Sequence, residues 1–136
     1  MTFREDALAG QHIVISGGCG AIGLGVVKRL TEHGAVMTVN DIFEPDEAHA
    51  RMRDYGIAPE RVQYLKGDLT HSAEVKAFVA GARAKFGPIH TALCHVGVVI
   101  SAPLLEFSEE DWDKTMDINV KAAYLLAQAS ARAMIE

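Results

Sequence analysis

Apolar positions along the chain change period in a regular alternation: a short continuous run, then helical spacing, then another short run, from residue 12 to the end. That alternation predicts βαβ units around a parallel sheet. Ile13, Val14 and Ile15 form a β-branched run of the kind found in a strand covered on both faces. From Ala21 to His33 the apolar residues Ile22, Val26, Val27 and Leu30 recur at helical spacing, with Gly34 placed to end the helix.

The same reading predicts a second strand over Ala35 to Val39, a helix over Pro45 to Tyr55 and a third strand over Val62 to Leu65. A third helix carries Val75, Phe78, Val79, Ala82 and Phe86 on one stripe and closes at Gly87 and Pro88. A fourth strand is expected over Ile89 to Val96. Ser108 and Asp111 then form a capping pair that opens a helix with Trp112 and Met116. A further helix runs on from about Asn119; it is apolar nearly all round, which predicts burial, and it stops at Glu136 without a capping residue. The expected architecture is an α/β fold, a parallel sheet with helices packed on it.

Composition narrows the partners. Among 136 residues, 49% are hydrophobic and 23% charged, enough apolar surface for a packed core. A net charge of -5 without any cluster of Lys and Arg argues against nucleic acid. Met1 to His12 hold no leader-like apolar stretch and no run has membrane-spanning length, so a cytoplasmic protein is expected. Cys19 and Cys94 are read as free thiols of a reducing compartment.

The sharpest chemical signal is Ser16-Gly17-Gly18-Cys19-Gly20-Ala21-Ile22-Gly23, lying between a buried strand and an amphipathic helix. Glycines there let a diphosphate approach main-chain N–H groups at a helix N-terminus, which is the positive end of the helix dipole. Asp41, with Ile42 beside it, stands 18 residues beyond Gly23, near the spacing of an acid that hydrogen-bonds an adenosine ribose. A 2'-phosphate would meet that carboxylate as a like charge, so NAD is favoured over NADP; the nearest basic residue in sequence is Arg51. No Gly-Lys-Ser or Gly-Lys-Thr is present, which excludes a P-loop.

These features together resemble the short-chain dehydrogenase/reductase family, whose glycine motif runs Thr-Gly, three residues, Gly, any residue, Gly. Ser16 stands here for the Thr and Ala21 for the middle Gly. The resemblance implies a Rossmann-type doubly wound sheet in three α/β/α layers, strand order 3-2-1-4, with residues 1–136 as one nucleotide-binding domain incomplete at its carboxyl end. It implies that Gly17, Cys19, Gly20, Ala21, Ile22 and Gly23 surround the cofactor phosphates. It further implies that Asp68, followed by Leu69, accepts a hydrogen bond from the adenine amino group. Cys94-His95-Val96-Gly97 occupies the place of the family's Asn-Asn-Ala-Gly beside the ribose and nicotinamide, with only Gly97 kept outright. Asn119 in Asp117-Ile118-Asn119-Val120 resembles the helix asparagine that is implied to hold a water of the proton relay.

The family's Ser and Tyr-x-x-x-Lys are not found: four residues after Tyr55, Tyr64 and Tyr124 stand Pro59, Asp68 and Gln128. The resemblance implies an NAD-dependent oxidoreductase acting on a small alcohol or carbonyl compound and forming a dimer or tetramer. Without the acid or base, the 136 residues are expected to hold a cofactor with little hydride transfer. A non-catalytic nucleotide-binding or oligomerisation module of this length is the alternative. An adenosyl-methionine site, which also suits a Gly-rich turn and an acid after the second strand, is the third reading.

Overall fold

The structure is a computed structural model that describes residues 4–136; the part of the leader reading that falls on residues 1–3 lies outside the described residues. Four parallel strands lie in the order β3-β2-β1-β4, the order expected from the sequence. They are β1 (His12–Ser16), β2 (Val36–Asp41), β3 (Val62–Lys66) and β4 (Thr91–Leu93). Between them run α1 (Ala21–Glu32), α2 (Pro45–Asp54) and α3 (Ser72–Phe86). After β4 come α4 (Glu109–Met116), a wide π-type turn over Asp117–Lys121, and α5 (Ala122–Ile135).

The buried β1 shows why the sheet is covered twice. Successive side chains of a strand point to opposite faces. Ile13 and Ile15 accordingly enter a core with Leu24 and Val27 of α1 and Ala48 and Met52 of α2. Val14 enters a separate core with Val75, Phe78 and Val79 of α3 and Leu126 of α5. The three α/β/α layers thus enclose two cores, one on either side of the sheet.

Four details differ from the sequence expectation. β4 is three residues long rather than eight, because beyond Leu93 the amides of His95 and Val96 turn to the Ser16 hydroxyl instead of a neighbouring strand. Pro88, before it, has no N–H to give. Ile22 leaves the core stripe of α1 and is 72% exposed, since it sits in the first turn, above the end of the sheet. The two last helices are one rod interrupted only by the wide turn, in which Asn119 lies. Finally, α5 buries a single stripe, Ala122, Leu126, Ser130 and Ala133, and leaves Tyr124, Met134 and Ile135 exposed.

Ser108 caps α4 as expected: its Oγ accepts the Asp111 N–H at 3.0 Å and gives its own proton to the Asp111 carboxylate at 2.8 Å. No helix of the described residues is long and apolar enough to cross a membrane.

His12, at the start of β1, is buried to 1% exposure and is satisfied by neighbours on both sides. Its Nδ1 lies 3.2 Å from the Gly87 carbonyl and its Nε2 2.9 Å from the Thr38 hydroxyl, which fits a neutral ring donating to Gly87 and accepting from Thr38. Burial lowers its pKa, opposed in part by the carbonyls of Gly87 and Pro88. Below the ordinary imidazole value of about 6.5 the unfolded chain therefore binds more protons than the folded one, and stability falls as the pH drops. Thermal unfolding between pH 8 and 5.5 should show this loss beginning near neutrality, and His12→Gln should flatten the part of the slope between pH 6.5 and 5.5.

Candidate active site at the carboxyl ends of the strands

At the end of β1 the chain turns through Gly17, whose φ of 67° lies in the left-handed region that favours glycine. A Cβ on Gly17 would stand 2.9 Å from the Val96 Cα, and one on Gly23 would stand 2.5 Å from the Gly17 carbonyl oxygen. These two glycines are dictated by close approach of backbone. Gly20 is different: a Cβ there would meet nothing nearer than 3.8 Å. Gly20 is also the N-cap of α1, offering no side chain to the first-turn amides, and no acid stands in that first turn. The positive end of α1 therefore opens onto free space.

That space is a groove of about 580 Å³ at the carboxyl edge of the sheet. Of the residues expected at a cofactor site, Gly17, Gly20, Ala21 and Ile22 line it from the loop. Asp41 and Ile42 line it from the end of β2, Asp68 and Leu69 from the end of β3, and Val96 and Gly97 from beyond β4. Asp41 and Asp68 are the charged lining groups; among the described residues no Lys or Arg lines the groove.

Asp41 is held in a fixed pose. Its Oδ2 accepts the Cys19 main-chain N–H at 3.0 Å and its Oδ1 accepts its neighbour's Ile42 N–H at 2.8 Å. Asp68 turns one oxygen back on its own loop, accepting the Thr70 N–H at 3.0 Å and the Thr70 hydroxyl at 2.7 Å. Burial alone would raise the Asp68 pKa, but the Thr70 hydrogen bonds, with His71 and Lys121 nearby, prevail and hold it below the usual carboxylate value. Asp68 is thus an anion at neutral pH.

The far wall is fixed by side chains that grip main chain. Ser16 Oγ accepts the N–H groups of His95 at 3.0 Å and Val96 at 3.1 Å, so the hydroxyl that replaces the family's Thr performs a bridging task. Asn119 is paired both ways with Val98: its Oδ1 accepts the Val98 N–H and its Nδ2 donates to the Val98 carbonyl, each at 2.8 Å. Cys94 points away from the groove and its thiol donates to the Ala123 carbonyl of α5 at 3.4 Å, whereas His95, its neighbour, lines the groove. The Cys19 side chain is wholly buried in the core, and its main-chain N–H is given to Asp41. Burial, reinforced by the Asp41 carboxylate, pushes the Cys19 thiol up to about 12, which leaves it unreactive.

Residues 11–136 match the family described as short chain dehydrogenase. The chain belongs to that family. Its relatives include a 5-keto-D-gluconate 5-reductase of Escherichia coli strain K12, 30% identical over 132 residues that make up 96% of this chain and 51% of that protein. An NAD-dependent glycerol dehydrogenase of Listeria innocua is 30% identical over 99% of this chain and 53% of its own length. Among solved structures, a short-chain dehydrogenase/reductase of Brucella melitensis described as a glucose/ribitol dehydrogenase superposes with a TM-score of 0.86 at 25% identity, covering 93% of this chain and 53% of that one. This short-chain dehydrogenase chain spans about half the length of the curated relatives it matches.

Sequence reasoning on the short-chain dehydrogenase motifs missed several lining residues. Phe43 and Thr70 flank the acids that were singled out, and Ile118 precedes Asn119, so proximity along the chain was the available signal. Asn40 carries no motif at all; its amide donates to the carbonyls of Leu65 and Gly67 and joins the ends of β2 and β3. The glycine geometry gives a direct test by urea unfolding. Gly23→Ala should lower stability by about 1 to 3 kcal/mol through overpacking against backbone, whereas Gly20→Ala should cost less than about 1 kcal/mol.

Proposed function

We propose that the chain forms the dinucleotide-binding part of an NAD-dependent oxidoreductase that interconverts an alcohol and a carbonyl compound. The observation that carries this reading is the uncapped N-terminus of α1, which opens onto a groove whose charged lining groups are Asp41 and Asp68. The space above Gly20, which a side chain there would enter, would take a diphosphate against the first-turn amides of Gly20, Ala21 and Ile22. Asp41 would accept hydrogen bonds from the adenosine ribose and Asp68 from the adenine amino group, with Ile42 and Leu69 against the base. The main chain at Val96 and Gly97 would lie along the ribose on the nicotinamide side. Gly23 and Cys19 serve the site from behind, and Cys94 supports it through α5 rather than by touching the cofactor.

When bound, the nicotinamide supplies the chemistry by accepting or delivering a hydride. The protein's part is to bind, orient and relay a proton. Because the Asn119 amide is spent on Val98, its part in a proton relay falls to the main chain of the wide turn. No Tyr-x-x-x-Lys stands among these 136 residues, so the chain by itself is proposed to bind cofactor without appreciable turnover.

NAD is favoured because a 2'-phosphate would enter beside the Asp41 carboxylate with no lining cation to offset it. The Listeria innocua relative is NAD-dependent by its description, in keeping with this reading. Relatives described as acting on 5-keto-D-gluconate and on glycerol suggest a polyhydroxylated substrate. The exposed side of α5, with Tyr124, Met134 and Ile135, is proposed to pack against a second copy of the protein.

Calorimetric titration with NADH, NADPH and adenosyl methionine tests the reading. NADH should bind most tightly, and Asp41→Ala should weaken it by about 1.5 to 3 kcal/mol, the loss of a charged hydrogen bond. Binding of adenosyl methionine alone, or NADH affinity untouched by Asp41→Ala, would overturn it.

A further inference from the structure

Asp41, Ile42 and Phe43 form the turn that leaves β2, and all three line the groove. The turn is gripped from two sides. From beneath, Tyr64 of β3, only 9% exposed, brings its hydroxyl 2.6 Å from the Phe43 carbonyl and 3.0 Å from the Asp41 carbonyl. Burial, then the neighbouring Cys19, Asp41, Glu44 and Glu47, holds that hydroxyl above the ordinary phenol range, so it stays a donor to the turn. From outside, Arg51 of α2 sets its guanidinium 4.1 Å from the centre of the Phe43 ring. The same guanidinium gives Nε and Nη2 to the Glu47 carboxylate at 3.0 and 2.7 Å.

Resting on the reading of Asp41 as the ribose-binding acid, we infer that Tyr64 and Arg51 are positioning residues that lock the Asp41–Phe43 turn and thereby set the discrimination between a ribose 2'-hydroxyl and a 2'-phosphate. A carboxylate rejects a phosphate only while it cannot move aside, because Coulomb repulsion falls with distance and with access of water. A turn free to swing would relieve the clash and would at the same time lose the fixed acceptor that the hydroxyl needs. The lock prevents both. It also occupies the cations that a phosphate would otherwise recruit: Arg51 is engaged by Glu47 and Phe43, and Lys66, the ladder neighbour of Asp41, is paired with Glu44.

The experiment measures dissociation constants for NADH and NADPH, by nicotinamide fluorescence, in the wild type, Tyr64→Phe and Arg51→Met, each with and without Asp41→Asn. Tyr64→Phe keeps the ring in the core and removes only the hydroxyl. It should weaken NADH about three- to tenfold, the scale of one hydrogen bond, while NADPH is unchanged or tighter. Arg51→Met, which acts from the surface and does not disturb the core, should move the ratio in the same direction. In the Asp41→Asn background Tyr64→Phe should leave the ratio where it was, since no carboxylate remains to be positioned.

An NADH to NADPH ratio within twofold of wild type in both variants overturns the inference. So does an equal loss for both cofactors that persists with Asp41→Asn, the mark of a merely structural role. If Arg51→Met weakens NADPH more than NADH, Arg51 acts by its charge and the positioning assignment fails for it. A wild-type chain that binds neither dinucleotide overturns the nucleotide-binding reading itself, and this inference with it.

Discussion

A parallel strand covered on both faces must end somewhere, and the buried polar groups past its end need partners. Everything around the groove follows from how β1 meets that constraint. All five of its residues are buried, and its last, Ser16, is 1% exposed. The Ser16 hydroxyl takes the amides of His95 and Val96, which would otherwise need a strand partner. By doing so it ends β4 early and turns residues 95–98 toward the groove. On the other side, Gly17 turns the chain so sharply that its carbonyl fits under Gly23. The N-terminus of α1, which has no side-chain cap, opens onto the groove beside that turn.

The electrostatics build on this framework. The strand ends contribute two carboxylates and the helix end contributes partial positive charge, so the groove offers acceptors at its rim and donors at its centre. That distribution suits a ligand with hydroxyl or amino groups at one end and a negatively charged middle. The cations near the acids are neutralised by other acids: Arg51 by Glu47 and Lys66 by Glu44. Exposed pairs of this kind contribute little to stability. Their consequence here is positional, since they keep positive charge off the groove wall.

Much of this was legible in the sequence because it rests on backbone rules. The alternation of strands and helices, the helix after the glycine loop and the acid at the end of β2 follow from periodicity and spacing, the order β3-β2-β1-β4 follows from the family resemblance, and the structure agrees. What the sequence did not disclose depends on tertiary partners. The length of β4 is decided by a serine hydroxyl almost 80 residues away, a contact that no local pattern encodes. Ile22 obeys the helical spacing of α1 yet lies above the end of the sheet, where no partner covers it. Tyr64 reads as an ordinary strand aromatic, and only the register of β3 against β2 brings its hydroxyl under the Asp41–Phe43 turn. Cys19 sits within the glycine string but spends its side chain on the core.

The difference between the two acids is one of acceptor capacity. An ionised carboxylate offers about four acceptor sites, two on each oxygen. Asp68 fills both sites of Oδ1 with the amide and hydroxyl of Thr70, and among the described residues its Oδ2 has only the His71 ring near it, at 3.5 Å. Asp41 fills one site on each oxygen, with the amides of Cys19 and Ile42. One free site per oxygen, in a fixed plane, matches a pair of adjacent hydroxyls, whereas one free oxygen matches a single donor such as an exocyclic amine. The protein's own amides and the Thr70 hydroxyl thus leave different acceptor sites on two carboxylates of the same type, and they do so by consuming acceptor sites rather than by adding contacts.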